Sequence, residues 1–442
     1  MKPVLLLSAP IKTRSGYGEH ARDLAYALIT ELSSTYSIQI LATNWGNTPW
    51  TGLDLATERG SLINDHIVFH PPFEQPDVFM QLTIPNEFQP VGKYNVGVTA
   101  GIESDLCAPD WIEGCNRMDM LITTSQHSLD VFKNSKYDMH DNTTNTFVKT
   151  VELRSDLITK VLFEGIDLHI FKELTDLDRE TDLFQQLNNI SENFVYLFVG
   201  HWLEGKLGED RKDVGMLIQT FATAFDNKVP STRPALLLKT SSGTFSLQDK
   251  LKIESKIKEI TQSVDTMPSI YLLHGDMTDA EMNILYRHPK VKAMVSFTHG
   301  EGFGRPLLEF GITGKPIIAP NWSGHRDFLD KARGAVLLPG ELVPVHESAA
   351  NAWLLKESKW FRVFYGYASQ VLNLVHARYK DYQSVSVLQK EYVKTVLSFE
   401  KMAKELATIL KDIPLPVKLD LPSINLNAPA PDLFKLPTLK KI

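Results

Sequence analysis

The chain has 442 residues, of which 43% are hydrophobic and 22% are charged, and its formal net charge is -7. This length predicts two domains, since single domains usually stop growing near roughly 250 residues, and the apolar share excludes a largely disordered chain. The acidic balance argues against a surface built throughout to hold polyphosphate. No apolar run approaches about 18 residues, so no transmembrane span is predicted. Without a signal-peptide pattern, Cys107 and Cys115 are predicted to be free thiols in a cytoplasmic protein.

Short apolar runs alternate with helical patterns in the first part of the chain. An amphipathic stretch, Glu19–Leu32, follows the first of these runs. The runs predict strands, and they are Val4–Ala9, Ile38–Thr43, Val78–Leu82, Val96–Thr99 and Met120–Thr124. Such alternation is typical of βαβ units around a mostly parallel sheet. We therefore expect a Rossmann-like first domain over residues 1–172.

The same alternation restarts after an acidic stretch, Glu173–Asp182. The second set of predicted strands is Phe194–Val199, Ala235–Leu238, Ile270–Leu273, Ala293–Phe297 and Pro316–Ala319. A second Rossmann-like domain is predicted over residues 173–384, and two such α/β domains would leave a cleft at the carboxyl ends of their strands. One long helix within 385–412 is predicted to pack back toward the first domain. The Pro-, Leu- and Lys-containing tail, 413–442, is predicted to be extended.

The most informative segment is Thr298-His-Gly-Glu-Gly-Phe-Gly-Arg-Pro-Leu-Leu-Glu309, which follows a predicted strand. Its three glycines would let backbone approach a ligand closely, and Pro306 is placed to be the first residue of a helix that ends at Gly314. Free amides at the start of that helix would bind an anion such as phosphate. Glu301 could then reach a sugar and Glu309 a ribose. The alternative is that Glu301 caps the helix and Glu309 lies on a solvated face.

The spacing Glu301-x7-Glu309 within this segment closely resembles the signature of GT4-type retaining glycosyltransferases, which have the two-domain GT-B fold. The resemblance continues through Gly314-Lys-Pro-Ile-Ile-Ala-Pro-Asn-Trp-Ser-Gly324. It implies that Glu301 is catalytic and contacts the donor sugar, and that Glu309 holds the ribose. The donor-binding residues that it implies from the rest of the motif are Gly302, Phe303, Gly304 and Arg305.

Basic residues are expected near a diphosphate leaving group, because developing charge needs preorganised stabilisation. The segment that begins Arg211-Lys212 resembles the diphosphate-binding segment of the same family, which makes both residues catalytic candidates. They could instead begin a solvated helix. Many family members have Arg where this chain has His201, so the role of that position stays open.

Two further segments resemble parts of the donor site. Ser15-Gly-Tyr-Gly-Glu-His-Ala-Arg22 resembles the first-domain glycine loop, in which Gly18 would approach the donor from the opposite wall. A dehydrogenase is disfavoured because the second strand ends at Asn44 rather than at a ribose-binding acid. His274-Gly-Asp-Met277 resembles the loop that meets the nucleobase, which implicates Gly275 and Met277.

On the acceptor side, Val98-Thr-Ala-Gly-Ile-Glu103 resembles a first-domain segment of the family, and it suggests Thr99 and Glu103. Glu103 could equally serve only to bond local backbone. No metal ligands cluster at a strand end, so we expect neither a metal nor any cofactor beyond a nucleotide-diphosphate sugar as co-substrate. The resemblance to retaining GT-B enzymes implies front-face attack, in which the departing phosphate helps to deprotonate the acceptor while the protein positions the substrates and excludes water.

The predicted function is therefore metal-independent transfer of a hexosyl or pentosyl group with retention. Two alternatives keep the donor site: a glycosyltransferase acting on modified bases in DNA, and a non-catalytic nucleotide-sugar-binding protein. A phosphorylase shares the architecture, but no segment suggests the lysine-bound pyridoxal phosphate that it needs. The acceptor is left open among a glycan, a lipid, a protein and a modified DNA base, because acceptor loops vary freely.

Overall fold

The computed structural model describes residues 2–46, 48–70, 74–141, 143–226, 229–262 and 266–414. The predicted tail lies outside the described residues from position 415 onward. Two α/β domains, each built on a parallel sheet, make up the described part. This arrangement confirms the predicted doubly wound fold class.

The first domain is a seven-stranded parallel sheet with an added antiparallel hairpin. Its described strands are β1 (Val4–Ala9), β2 (Ser37–Ala42), β3 (Ile67–Val68), β4 (Val78–Leu82), β5 (Tyr94–Thr99), β6 (Met120–Thr123), β7 (Tyr137–His140), β8 (Phe147–Val151) and β9 (Ile158–Val161). Its described α-helices are α1 (Gly16–Leu32), α2 (Glu58–Asp65), α3 (Pro109–Cys115) and α4 (Gln126–Asn134). The strand order is β3-β2-β1-β4-β5-β6-β9, and β7 pairs with β8.

The second domain repeats this plan with a six-stranded parallel sheet of order β12-β11-β10-β13-β14-β15. Its described strands are β10 (Val195–Val199), β11 (Ala235–Lys239), β12 (Ile270–Leu273), β13 (Val291–Val295), β14 (Ile317–Pro320), β15 (Val336–Leu338), β16 (Gly340–Pro344) and β17 (Lys359–Val363). The helices described from here to residue 411 are α5 (Asp176–Glu180), α6 (Asp182–Asn188), α7 (Val214–Phe225), α8 (Leu247–Thr261), α9 (Asp279–Arg287), α10 (Arg305–Gly311), α11 (Tyr365–Ala377), α12 (Tyr379–Val396) and α13 (Phe399–Lys411).

Side chains on both faces of each sheet pack against helices. In β10, Val195 and Leu197 belong to one apolar cluster, whereas Tyr196 and Phe198 belong to the cluster on the opposite face. Successive strand residues point to opposite sides, so a strand buried on both faces is apolar throughout. The carboxyl ends of the strands of both sheets lie at the space between the domains.

The predicted single helix over 385–410 is wrong, because the chain divides there into α12 and α13. The hydroxyl of Ser398 accepts a hydrogen bond from the amide of Lys401 and caps a new helix. Val393, on α12, is buried in the second domain, whereas Leu406, on α13, is buried against the first. Only the second of the two helices therefore packs back on the first domain, close to Gly165 of the interdomain linker.

Two boundaries near the glycine motif and one hairpin also differ from the sequence prediction. The strand before the glycine motif ends at Val295, two residues earlier than predicted, and the helix after it ends at Gly311 rather than Gly314. The hairpin of β16 and β17 was not predicted. It reaches the first domain, where the backbone amide of Lys359 donates to the carboxylate of Asp105 at 2.6 Å. The two domains are thus in direct contact on both sides of the linker.

Candidate active site

A cleft of about 550 Å³ lies between the two domains, at the carboxyl ends of both sheets. Segments that follow β1, β2, β5 and β9 supply its first-domain wall, and most of the other wall comes from segments that follow β10, β11 and β13. Side chains of both charges and several aromatic rings line it, including Arg14, Tyr17, His20, Trp45, Glu103, Glu164, His201, Arg211, Lys212, Lys239, Glu301 and Arg305. Parallel α/β sheets bind ligands at this edge.

A chain of four charges crosses the cleft. Glu301 forms an ion pair with Lys212, and its other carboxylate oxygen lies 3.8 Å from the guanidinium of Arg211. Arg211 is also 2.8 Å from the carboxylate of Glu103, on the opposite domain. Burial alone would raise the pKa of Glu301, but Lys212 and Arg211 lower it, so this carboxylate is ionised near neutral pH. The structure thus brings Glu301, Lys212, Arg211 and Glu103 together.

The glycines of the motif face the first domain more closely than the sequence suggested. A Cβ on Gly302 would lie 2.5 Å from the carbonyl oxygen of Ala100, and one on Gly300 would lie 2.0 Å from that of Glu103. The carbonyl of Gly302 accepts a hydrogen bond from the hydroxyl of Ser125 at 2.5 Å. Contact between the domains therefore requires glycine at both positions. Gly302 also lines the cleft, and its close approach to a ligand stays a prediction.

Gly304 turns the chain from this loop into α10, and Arg305 then joins both domains. Gly304 has a φ of +98°, a conformation that favours glycine. The Arg305 guanidinium forms an ion pair with Asp23 of α1, lies 3.6 Å from Glu164 and binds Glu309 at 2.9 Å. Phe303 and Gly304 line the cleft together with Arg305.

Glu309 lies behind Arg305 rather than among the residues that line the cleft. One carboxylate oxygen accepts from Arg305, and the other accepts from the hydroxyl of Tyr286, each at 2.9 Å. Burial raises the pKa of Glu309 to about 7, although Arg305 opposes the shift. Its role as ribose ligand stays a prediction, and it would require a ligand to reach past the Arg305 side chain.

The positions predicted for the nucleobase, Gly275 and Met277, are not among the residues that line the cleft. Lys239 lines the cleft, and its ammonium donates to the carbonyl of Gly275 at 2.6 Å. Asp276 pairs with Arg14 of the first domain at 3.2 Å. Met277 packs against the second-domain core. The loop therefore contacts both domains, and its predicted contact with a base remains a prediction.

His201, whose role the sequence left open, lines the cleft. Its Nδ1 lies 3.1 Å from the hydroxyl of Ser241. Burial lowers the pKa of His201, and the nearby cations Lys212 and Arg211 lower it further. The imidazole is therefore neutral near pH 7 and adds no cation to this wall.

Two first-domain predictions need correction. The space that a Cβ on Gly18 would fill is occupied by the carbonyl of Thr13, and the amide of Gly18 donates to the hydroxyl of Ser15. Gly18 thus lets helix α1 pack on its own leading loop and does not face the cleft. Thr99 is fully buried, and its hydroxyl lies 3.1 Å from that of Tyr17. Tyr17 lines the cleft and covers Thr99, which does not line it.

Several cleft residues were not predicted. Tyr17 and His20 lie inside the segment that resembles the family's glycine loop, but only Gly18 was assigned from it. Tyr17 and His20 lie three residues apart on α1 and so share a face of the helix. Tyr17 stacks on Trp45 with ring centroids 3.9 Å apart. Trp45 follows β2, and Glu164 follows β9. For Trp45 and Glu164, the position just after a strand end was the one available signal.

The described residues present neither a metal-binding cluster nor a membrane-spanning helix. Within those ranges, no group of three or more His, Cys, Asp or Glu side chains is placed to hold a metal ion. Among the same residues, no helix is both long and apolar enough to cross a bilayer. The expected independence from metals and cofactors stays a prediction.

Solved structures with the same two-domain architecture include several sugar-transferring enzymes. HepE of Anabaena, crystallised in complex with UDP and glucose, has a TM-score of 0.59 at 14% identity, over 92% of this chain and 99% of its own. A glycosyltransferase from Rickettsia africae has a TM-score of 0.59 at 11% identity, covering 93% and 98%. Sucrose-phosphate synthase from Thermosynechococcus elongatus has a TM-score of 0.59 at 13% identity, also covering 93% and 98%.

These likenesses show the fold, which is that of the GT-B glycosyltransferases, and they confirm the predicted architecture. No protein-family model matches the sequence, and no curated protein sequence matches it. Membership of the GT4 family therefore stays a prediction that rests on the motif.

Proposed function

We propose that this chain is a retaining glycosyltransferase of the GT4 type, which moves a sugar from a nucleotide-diphosphate sugar to an acceptor hydroxyl without a catalytic metal. The observation that supports it most is the grouping of Lys212, Arg211 and Glu301 in the cleft between two GT-B domains. A fold is compatible with many functions, so the proposal depends on what this group of charges can do.

Lys212 and Arg211 are placed to stabilise a leaving diphosphate. Negative charge grows on that group as the bond to the sugar breaks, and fixed cations in a partly dry cleft stabilise such charge strongly. The side chain of Lys212 is only 9% exposed, so water screens its charge weakly. Two protein cations of this kind can take the part that a divalent metal takes in other transferases.

Glu301 supplies the matching sugar contact. An ionised carboxylate accepts hydrogen bonds from sugar hydroxyls. Burial lowers the pKa of Lys212, and the same carboxylate opposes that shift. A diphosphate would compete with Glu103 and Glu301 for the two cations. Donor binding would therefore free these carboxylates for hydroxyl groups.

UDP-glucose is the first donor to test, since HepE has been crystallised with UDP and with UDP-glucose. The experiment measures the melting temperature of the protein with UDP-glucose, ADP-glucose, GDP-mannose and dTDP-glucose, because a bound donor stabilises the folded state by mass action. The variant Glu301→Gln is the binding-site control. A protein that no nucleotide sugar stabilises would contradict the proposal.

Transfer is then measured by NMR with the donor that binds, against glycans, lipids, peptides and DNA with modified bases. An α-linked product from an α-linked donor is expected, at the same rate with and without EDTA. Inversion would refute the retaining mechanism, and a strict need for manganese or magnesium would refute metal independence. Donor binding with no transfer to any acceptor would favour a binding protein.

A further inference from the structure

His20 differs from the other buried histidines in the described part of the chain. It is 3% exposed, and neither of its ring nitrogens has a hydrogen-bond partner among the described residues. The other buried histidines each bond a protein oxygen, at distances of 2.7 to 3.2 Å: His288 to Asn188, His299 to Phe361 and His325 to Pro320. Buried polar groups are nearly always paired, so an exception needs an explanation.

The position of His20 supplies one, since the ring lines the cleft. It lies on the second turn of α1, on the same face as Tyr17, and Asp23 and Arg305 are the charges that act on it. Glu164, which also lines the cleft, is 3.6 Å from the same Arg305. The unpaired imidazole thus lies on the first-domain wall opposite the glycine motif.

The protonation state of His20 limits what it can bind. Burial lowers the pKa of His20 to about 4, and Arg305 lowers it while Asp23 opposes. At neutral pH the ring therefore offers one N–H donor and one nitrogen acceptor. A phosphate oxygen would use only the donor. A hydroxyl group can both donate and accept, so it suits a neutral imidazole better.

We propose that His20 hydrogen-bonds a hydroxyl group of the nucleotide sugar and so positions the donor from the first-domain wall. This inference rests on the proposed function, and it assigns a residue that the family motif does not mark. The hydroxyl belongs either to the ribose or to the transferred sugar. Both have the same chemistry, and different ligands distinguish them.

The test compares His20→Phe, which keeps a ring of similar size but no polar atom, with His20→Gln, which keeps a donor and an acceptor. His127→Phe is the matched control, because burial also lowers the pKa of His127 to about 4 and that ring packs on Trp322 away from the cleft lining. Calorimetry measures the dissociation constants of UDP-glucose and UDP, or of the nucleotide sugar and nucleotide that stabilise the wild type most.

His20→Phe should bind UDP-glucose roughly five to ten times more weakly, the effect of one neutral hydrogen bond. His20→Gln should recover part of that loss, and His127→Phe should show none. If the binding of UDP weakens as much as that of UDP-glucose, the hydroxyl is on the ribose. If only the binding of UDP-glucose weakens, the hydroxyl is on the transferred sugar. Wild-type affinity for both ligands in His20→Phe, with a Kd ratio of one, would overturn the inference. If that variant does not fold, His20→Leu, which also lacks a polar atom, takes its place with the same expected loss and the same refuting result. A wild type that binds no nucleotide sugar would overturn the proposed function and this inference with it.

Discussion

The two walls of the cleft carry different chemistry although the domains repeat one plan. The second-domain wall presents the cations Arg211 and Lys212, whereas the first-domain wall presents the carboxylates Glu103 and Glu164 and the neutral ring of His20. Glu103 pairs across the cleft with Arg211. Under the proposed function, the second domain would hold the charged half of the donor, while the first domain offers contacts for hydroxyl groups and its Glu103 pairs with a cation of the other wall.

The largest effect is expected where the two walls are joined. Arg305→Ala would leave Glu164 and Glu309 without their cation and would leave Asp23 with Arg59 alone. Removing one member of a buried charge cluster typically costs about 3–5 kcal/mol of unfolding free energy. Urea denaturation measures this loss.

The control for that experiment is Arg378→Ala, because Arg378 pairs with Asp381 on the surface, where both side chains are more than 60% exposed. Its loss should stay within about 0.5 kcal/mol. Equal stability of the two variants would contradict the view that Arg305 ties the walls together.

The role of the second-domain wall is tested by Lys212→Ala. Turnover should fall by roughly a hundredfold or more, because in the proposed mechanism Lys212 stabilises charge that develops only in the transition state. Saturating donor should not restore the rate. The surface variant Lys252→Ala removes an exposed pair with Glu204 and should leave turnover unchanged. A normal turnover with only a raised donor Michaelis constant would assign Lys212 to ground-state binding.

The first-domain wall is tested by the pH dependence of the unfolding free energy. Burial raises the pKa of Glu164 from its usual 4.5 to about 7, although Arg305 opposes the shift. The folded state then keeps a proton that the unfolded state releases, so wild-type stability falls as pH rises from about 4.5 to 7, by up to about 3 kcal/mol.

Glu164→Gln stays neutral and should escape that fall. The unfolding free energy of the variant minus that of the wild type should therefore increase between pH 5 and pH 7.5, as measured by urea denaturation at both values. A difference that does not change with pH would show that Glu164 is ionised throughout this window.

The smallest effect concerns the carboxylate behind Arg305. Glu309→Ala should weaken donor binding by about 1–3 kcal/mol, the usual effect of losing charged hydrogen bonds, if Glu309 reaches the ribose. Calorimetry with the donor measures this, and Glu341→Ala, on an exposed strand, is the control. Unchanged affinity would remove Glu309 from the donor site and leave it as a structural partner of Arg305 and Tyr286.

Local patterns predicted the parts of the site that lie within one domain. Strand ends followed by glycine or basic residues placed Glu301, Arg211 and Lys212 correctly at the cleft, since parallel strands end at one edge of a sheet. Gly18 and Thr99 were misplaced because a loop motif does not reveal which neighbour fills the space at a residue. Thr13 does so for Gly18, and Tyr17 covers Thr99.

The sequence by itself determined the doubly wound fold, because alternating apolar runs and amphipathic stretches have few other ways to bury their surface. The break at Ser398 depended on a single side-chain cap within an unbroken apolar pattern, which periodicity does not reveal. Only the tertiary structure decided that Glu103 meets Arg211, that Arg305 meets Asp23, and that the imidazole of His20 stays unpaired. These facts depend on how the two domains pack against each other. That packing brings together residues far apart in the sequence, so no local pattern reveals it.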